Sequence, residues 1–163
     1  MPVTVGLLSD SHARWERTKR ALQALREQGA TTFIHCGDVE DELVLDQLAG
    51  LDSHLVWGNC DWNAVTLGRY AADLGIAVHG LSGELELDGK RIAFTHGHEP
   101  AAMRAAVTGG ADYLVHGHTH ERRDERQAST RILNPGALHR ARPFTVATLV
   151  PSTGAFEWIE VPS

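Results

Sequence analysis

Along the first half of the chain, short apolar runs alternate with longer stretches of helical spacing. Val3 to Ser9 is a short β-rich run. Arg14 to Gln28 then carries apolar residues at Trp15, Leu22 and Leu25, a spacing that places them on one face of a helix, and Gly29 stops it. Thr31 to Cys36 predicts a second strand that runs into Gly37. Glu40 to Ala49 predicts a second helix, with acids in its first turn and Gly50 at its end. His54 to Trp57 predicts a third strand, again followed by a glycine, and Asn63 to Leu74 a helix interrupted at Gly68.

The texture then changes. Ile76 to Leu81, Glu84 to Leu87 and Arg91 to Thr95 predict strands joined by glycine-containing turns, with Asp88-Gly89 a strong hairpin signal. Pro100 to Val107 predicts a helix, with proline near its first position and Gly109-Gly110 past its end. Tyr113 to Val115, Thr130 to Leu133, Thr145 to Val150 and Phe156 to Val161 predict further strands, and Gln127-Ala128-Ser129 a turn. A β-α-β-α-β beginning followed by a strand-rich half predicts an α/β fold of two packed mixed sheets with helices outside, a four-layer α-β-β-α sandwich. With no internal repeat, low-complexity segment or long linker, the 163 residues are expected to form a single domain, 1–163.

Composition narrows the function classes. The apolar fraction of 42% and charged fraction of 22% are ordinary for a globular protein. The net charge of −6 and the absence of a long basic block disfavour general nucleic-acid binding; Arg122-Arg123 and the pair Arg140 and Arg142 are short groups, read as surface charge. Cys36 and Cys60 make no disulfide framework and no C-x-x-C pair. The first residues lack a basic segment followed by an apolar stretch, and no apolar run approaches the roughly 20 residues that span a bilayer. A cytoplasmic location, away from membranes, is therefore expected.

The chemistry lies where the strands end. Ser9-Asp10-Ser11-His12, Gly37-Asp38, Gly58-Asn59-Cys60-Asp61, Thr95-His96-Gly97-His98 and Gly117-His118-Thr119-His120 each follow a strand-like run in nearly every case. Asp-x-His puts two donors on one side of an extended segment. Taken alone, each motif has a plain structural reading: polar surface, a helix cap, a turn asparagine, a hydrogen-bonded core histidine. His-x-His is the least needed for packing. Carboxylate, imidazole and amide donors delivered from strand ends to one rim are how a hydrolytic metal site is assembled.

In this order and context the series resembles the calcineurin-like metallophosphoesterase family. It most resembles the small single-domain bacterial and archaeal phosphodiesterase branch, which carries Gly-Asn-Cys-Asp and Asn-Pro-Gly segments like Gly58 to Asp61 and Asn134 to Gly136. The resemblance runs from about Val5 to Val150 and implies two divalent transition-metal ions. One would be held by Asp10, His12, Asp38 and His120, the other by Asp38, Asn59, His96 and His118, with Asp38 bridging. Mn²⁺ is the first expectation, with Ni²⁺, Fe²⁺ or Zn²⁺ also suited to such donors. It further implies hydrolysis of a small phosphodiester by a hydroxide shared between the ions, without a protein nucleophile.

Two departures matter. Many members of the wider family have a histidine after Gly-Asn that can protonate the leaving group; here that position is Cys60, read as a small residue packing behind the site. Where the family often has serine after Asn-Pro-Gly, this chain has Ala137. His98 is a candidate substitute proton donor or substrate contact. Asp61 reads as the start of the next helix, His35 and His116 as strand residues, and His139 has no assigned part. Three alternatives stay open: a phosphomonoesterase on the same metals, a protein-interaction scaffold like the retromer subunit of this family, and a metal store or sensor. The C-terminal strands also leave room for a homodimer.

Overall fold

The computed structural model describes residues 1–163 throughout. The first sheet grows from a parallel core. β1 (Val5–Leu8), β2 (Thr32–His35), β3 (Asp52–Leu55) and the two-residue β4 (Ala77–Val78) run parallel. Between them pass α1 (Trp15–Glu27), α2 (Glu42–Leu48) and α3 (Ala64–Asp73). Asp41 caps α2 by accepting the Leu43 N–H, which replaces a hydrogen bond the helix cannot make for itself. α3 runs straight through Gly68, where a Cβ would make only ordinary contact with the Trp57 indole.

The second sheet begins with a hairpin at Asp88-Gly89, joining β5 (Ser82–Leu87) to β6 (Lys90–Thr95). α4 (Pro100–Thr108) leads to β7 (Tyr113–Val115), and β8 (Arg123–Gln127) turns back through Ala128-Ser129 into β9 (Thr130–Asn134). The chain then returns to the first sheet, where β10 (Thr145–Val150) pairs antiparallel with β1, and β11 (Ala155–Glu160) closes that edge. The orders are β11-β10-β1-β2-β3-β4 and β5-β6-β7-β9-β8. Both sheets are mixed: β6, β7 and β9 are parallel, with β5 and β8 antiparallel at the edges.

Three apolar clusters separate the four layers. Leu22, Leu25, Leu45, Leu48 and Leu67 seal α1, α2 and α3 against the first sheet. Val5, Leu7, Ile34, Val56, Ile92, Phe94 and Val115 fill the space between the sheets. Ala93, Leu114 and Ile132, with Met103 and Val107, join α4 to the second sheet. Because β1 and β2 are apolar on both faces, they are buried on both sides, as the centre of a parallel sheet must be. No helix is long and apolar enough to cross a membrane.

Several elements differ from the sequence reading. The strand expected over Ile76 to Leu81 is only Ala77–Val78 and belongs to the first sheet, and β5 begins two residues earlier than expected. β8 was not expected, because Arg-Asp-Glu-Arg-Gln has no apolar alternation; it is a charged edge strand of the kind that resists pairing with other chains. β3 begins and ends two residues earlier than expected, so Val56 and Trp57 already belong to the loop that delivers Gly58 and Asn59.

Candidate metal centre

Every expected ligand lies just beyond the C-terminal end of a parallel strand. Asp10 and His12 follow β1, Asp38 follows β2, and Asn59 follows β3 from the first sheet. His96 follows β6, and His118 and His120 follow β7 from the second. The loops turn sharply: Asp10, His12, Asp38, His118 and His120 all have positive φ, a region that costs non-glycine residues energy and concentrates at functional sites. Glycines make the close approaches. A Cβ on Gly58 would overlap the Asp38 carboxylate, and one on Gly117 would overlap the Ser9 hydroxyl and the Asp10 carboxylate.

Each acidic ligand has one oxygen anchored and the other aimed inward. Asp10 Oδ2 accepts from the Ser9 hydroxyl at 2.6 Å and from the His118 N–H at 3.0 Å. Its Oδ1 has no hydrogen-bond partner and faces His120 Nε2 at 3.2 Å, His12 Nε2 at 3.6 Å and His96 Nε2 at 3.8 Å. Asp38 Oδ1 accepts from the Cys60 N–H at 2.9 Å, while Oδ2 lies 3.2 Å from His96 Nε2 and 3.4 Å from His12 Nε2.

The histidines follow the same logic. His96 Nδ1 bonds the Cys36 carbonyl at 2.7 Å, His12 Nδ1 the Glu40 carboxylate at 3.2 Å, and His120 Nδ1 approaches the Arg140 carbonyl at 3.4 Å. Each bond fixes the ring and frees Nε2 for the centre, as outer partners do around metals. His12 Nε2 and His96 Nε2 are buried without hydrogen-bond partners. His118 Nδ1 and Asn59 Oδ1 stand 3.1 Å apart. Asp10, Asp38 and His96 form one tight donor group and Asp10, His12 and His120 another. Buried, unpartnered donor atoms that converge in this way fit a cation far better than they fit each other.

The electrostatics agree. Burial works against the ionised Asp10, but the facing His12 and His120 rings and the nearby His96 win and hold its carboxyl below the usual range. Burial likewise opposes charge on His12 and His96, yet the Asp10 and Asp38 carboxylates raise both; for His120 the facing Asp10 carboxylate leads, and it too is raised. Burial and the neighbouring His96 lower His118.

A cleft of about 470 Å³ opens onto the group, lined by His12, Asp38, Asn59, Cys60, His118 and His120 together with Arg14, Glu40, His139 and Arg140. The last four are what the sequence reading missed or discounted. His139 packs over the His12 ring at 5.0 Å, and exposed Arg140 faces the cleft rather than bulk surface alone. His98 lies outside the lining of this cleft, its ring 5.4 Å from His96 and 6.2 Å from His118, with a buried, unpartnered Nδ1. Burial first, then Asp38 and Glu40, pushes the Cys60 thiol up to about 11. Asp61 does not start α3; its carboxylate turns back to the Asp38 loop, and Asn63 is the residue at the helix start. His35, at the end of β2, bonds Ser11 and the Gly37 N–H from behind.

Strand-end carboxylates and imidazoles around a shared, open cleft are the arrangement of a metal-dependent hydrolase. The model of the calcineurin-like phosphoesterase superfamily domain matches residues 3–153, and the chain belongs to that superfamily. Phosphodiesterase MJ0936 of Methanocaldococcus jannaschii is 28% identical over 138 residues, which cover 81% of this chain and 82% of that one. Among solved structures, an archaeal phosphodiesterase superimposes with a TM-score of 0.87 at 24% identity, covering 98% of this chain and all of the other. A phosphoesterase from E. coli, Yfce, gives 0.70 at 20% identity with 98% and 100% coverage.

Proposed function

We propose that the chain is a phosphodiesterase that works with two divalent transition-metal ions, Mn²⁺ first among them. Asp10, His12 and His120 would hold one ion, Asn59, His96 and His118 the other, and Asp38 would serve both. The observation that carries this reading is the inward trio of Asp10 Oδ1, His12 Nε2 and His96 Nε2, all buried and all without hydrogen-bond partners. Hard carboxylate and borderline imidazole donors, with a neutral thiol nearby, favour Mn²⁺, Fe²⁺, Ni²⁺ or Zn²⁺ over a soft-metal site. The kinship with MJ0936 favours diesters.

When bound, such a pair supplies an activated water at neutral pH and positive charge against the phosphoryl oxygens. The chain's own part is to hold its donors in place. Ser9 and the His118 backbone fix Asp10, the Cys60 N–H fixes Asp38, and carbonyls or Glu40 orient the rings. No serine, cysteine or lysine is needed as a nucleophile. His98 is the candidate proton donor or substrate contact, and Cys60 is too weak an acid to be one. Buried, unpartnered donors are costly unless a cation pairs them, which supports a bound metal.

The test is turnover of bis(p-nitrophenyl) phosphate against p-nitrophenyl phosphate, each with EDTA-treated protein resupplied with Mn²⁺, Ni²⁺, Fe²⁺ or Zn²⁺. The diester should be preferred and the metal required. A large monoester preference would replace the reading with that of a phosphomonoesterase.

A further inference from the structure

Beside the metal centre lies a second pocket, of about 500 Å³, within the range of about 300–1,000 Å³ typical of small-ligand sites. His120 lines both this pocket and the cleft, so the two meet at a candidate metal ligand. The far wall is Trp158 of β11, flanked by Arg122, Arg142, Pro143 and Thr145.

The wall is rigidly tied to the centre. The Trp158 indole N–H donates to the Asn134 carbonyl at 3.0 Å. Asn134 is fully buried, and its side-chain amide donates to the Gly117 carbonyl and the Thr119 hydroxyl, both at 3.2 Å, in the loop that carries His118 and His120. One buried residue therefore holds the ring through its backbone and the His118–His120 loop through its side chain. The half-buried indole is braced by the inter-sheet core and edge-on by Phe156, and the Arg122 guanidinium stacks over it from the pocket, 5.5 Å from the ring centroid, the place a planar heteroaromatic ring would take.

The charge is also unbalanced by ion pairs. The arginines that form ion pairs are Arg91, Arg123 and Arg131. Arg122 and Arg142 are exposed and outside those pairs, in a chain of net charge −6. Glu121, also at this pocket, offsets one of the two charges and leaves a net cation; Arg14 and Arg140 add to it from the adjoining cleft.

We propose that this pocket receives a nucleotide-type arm of the substrate: a planar heteroaromatic ring on Trp158, and an anionic group beyond the scissile phosphate on Arg122 and Arg142. This rests on the phosphodiesterase reading for its catalytic consequence. The pocket holds a single arm and does not need the long basic surface of a general nucleic-acid binder.

Three chromogenic diesters with one leaving group test it: methyl p-nitrophenyl phosphate, thymidine 5′-(p-nitrophenyl phosphate), and the same nucleotide bearing a 3′-phosphate. Stacking on an aromatic side chain is worth roughly ten- to a hundredfold, so kcat/KM should rise by about tenfold or more from the first to the second. It should rise again with the 3′-phosphate. Trp158→Leu should shrink the first ratio, and the double variant Arg122→Ala, Arg142→Ala the second. Equal kcat/KM for all three esters, or ratios unmoved by the variants, would overturn the proposal.

A binding measurement separates the pocket from the chemistry and from any folding defect of Trp158→Leu. Calorimetry with thymidine 3′,5′-bisphosphate on metal-free protein should show binding that the double arginine variant weakens by about tenfold. The same affinity in wild type and double variant, or none in wild type, would overturn the pocket. Intact binding without turnover of any diester would leave the pocket standing and sink the phosphodiesterase reading instead.

Discussion

The Asp61 carboxylate holds the backbone of Asp38. Its Oδ2 accepts the Asp38 N–H at 2.9 Å and the Gly58 N–H at 2.7 Å, and its Oδ1 accepts the N–H groups of Val39 and Glu40, each at 2.9 Å. One buried side chain thus joins the Gly37-Asp38 loop to the Gly58-Asn59 loop and sets where Asp38 sits. Asp61→Ala would leave these N–H groups unpaired in a buried place. It should cost on the order of 3 kcal/mol in urea unfolding. Metal affinity should also fall, by about ten- to a hundredfold, as for other outer partners of metal ligands. Unchanged metal titration would remove Asp61 from the architecture of the centre.

Gly117 tests the close packing of the loops. Its φ is not in the left-handed region, so Gly117→Ala adds only a methyl group, yet that methyl meets Ser9 Oγ and Asp10 Oδ2. Asp10 would lose the anchoring bonds from the Ser9 hydroxyl and the His118 N–H. Metal affinity is expected to fall by about tenfold or more, with far-ultraviolet circular dichroism preserved. Alanine tolerated at no loss of affinity would mean that Asp10 is not held as described.

His35 gives a pH signature that needs no metal. The Gly37 N–H donates to Nδ1 at 3.1 Å, so the neutral ring carries its proton on Nε2, which donates to Ser11 Oγ at 2.7 Å. Full burial pushes its pKa down to about 4. Between pH 6.5 and 4 the unfolded chain binds a proton that the folded ring refuses, so stability falls as pH falls, by about 3 kcal/mol across that window. His12, His96 and His120 are raised and act oppositely in metal-free protein: their contribution is present below about pH 6.5 and lost as pH rises through their folded values. Comparing wild type with His35→Asn in EDTA isolates the first effect. Identical slopes of unfolding free energy against pH would contradict the buried neutral histidine.

Cys60 bears on the expected leaving-group dependence. Its thiol stays protonated at neutral pH, and giving up that proton would leave a thiolate beside Asp38 and Glu40. Diesters with acidic phenols should therefore be hydrolysed much faster than those with alkyl alcohols. His98→Ala should slow the poor leaving groups selectively if His98 supplies the proton. Rates measured across a series of aryl phosphodiesters decide both points: a flat series would show an effective acid elsewhere, and an unchanged His98→Ala slope would remove His98 from proton transfer.

Much of this was legible in the sequence because strand ends carry their own punctuation. Apolar runs broken by Gly-Asp, Gly-Asn and Gly-His-x-His located β2, β7 and the candidate ligands, and the Asp88-Gly89 hairpin fell where the turn chemistry put it. β8 was invisible because an edge strand is stabilised by its ladder and not by apolar alternation. The outer partners were invisible for another reason. Asp61 and Glu40 matter through contacts made across loops distant in sequence, which no local pattern encodes. His139 and Arg140 lie in a loop whose path depends on the Asn134-Pro135-Gly136 turn, and their place on the cleft follows only from the fold.

Metal stoichiometry coupled to activity tests the central claim most directly. EDTA-stripped protein is titrated with Mn²⁺ while hydrolysis of bis(p-nitrophenyl) phosphate is followed, alongside Asp38→Ala. Activity is expected to reach its maximum at two equivalents per chain and to be absent from Asp38→Ala at every metal concentration. Full activity at one equivalent, or an active Asp38→Ala, would contradict a two-metal centre joined by Asp38.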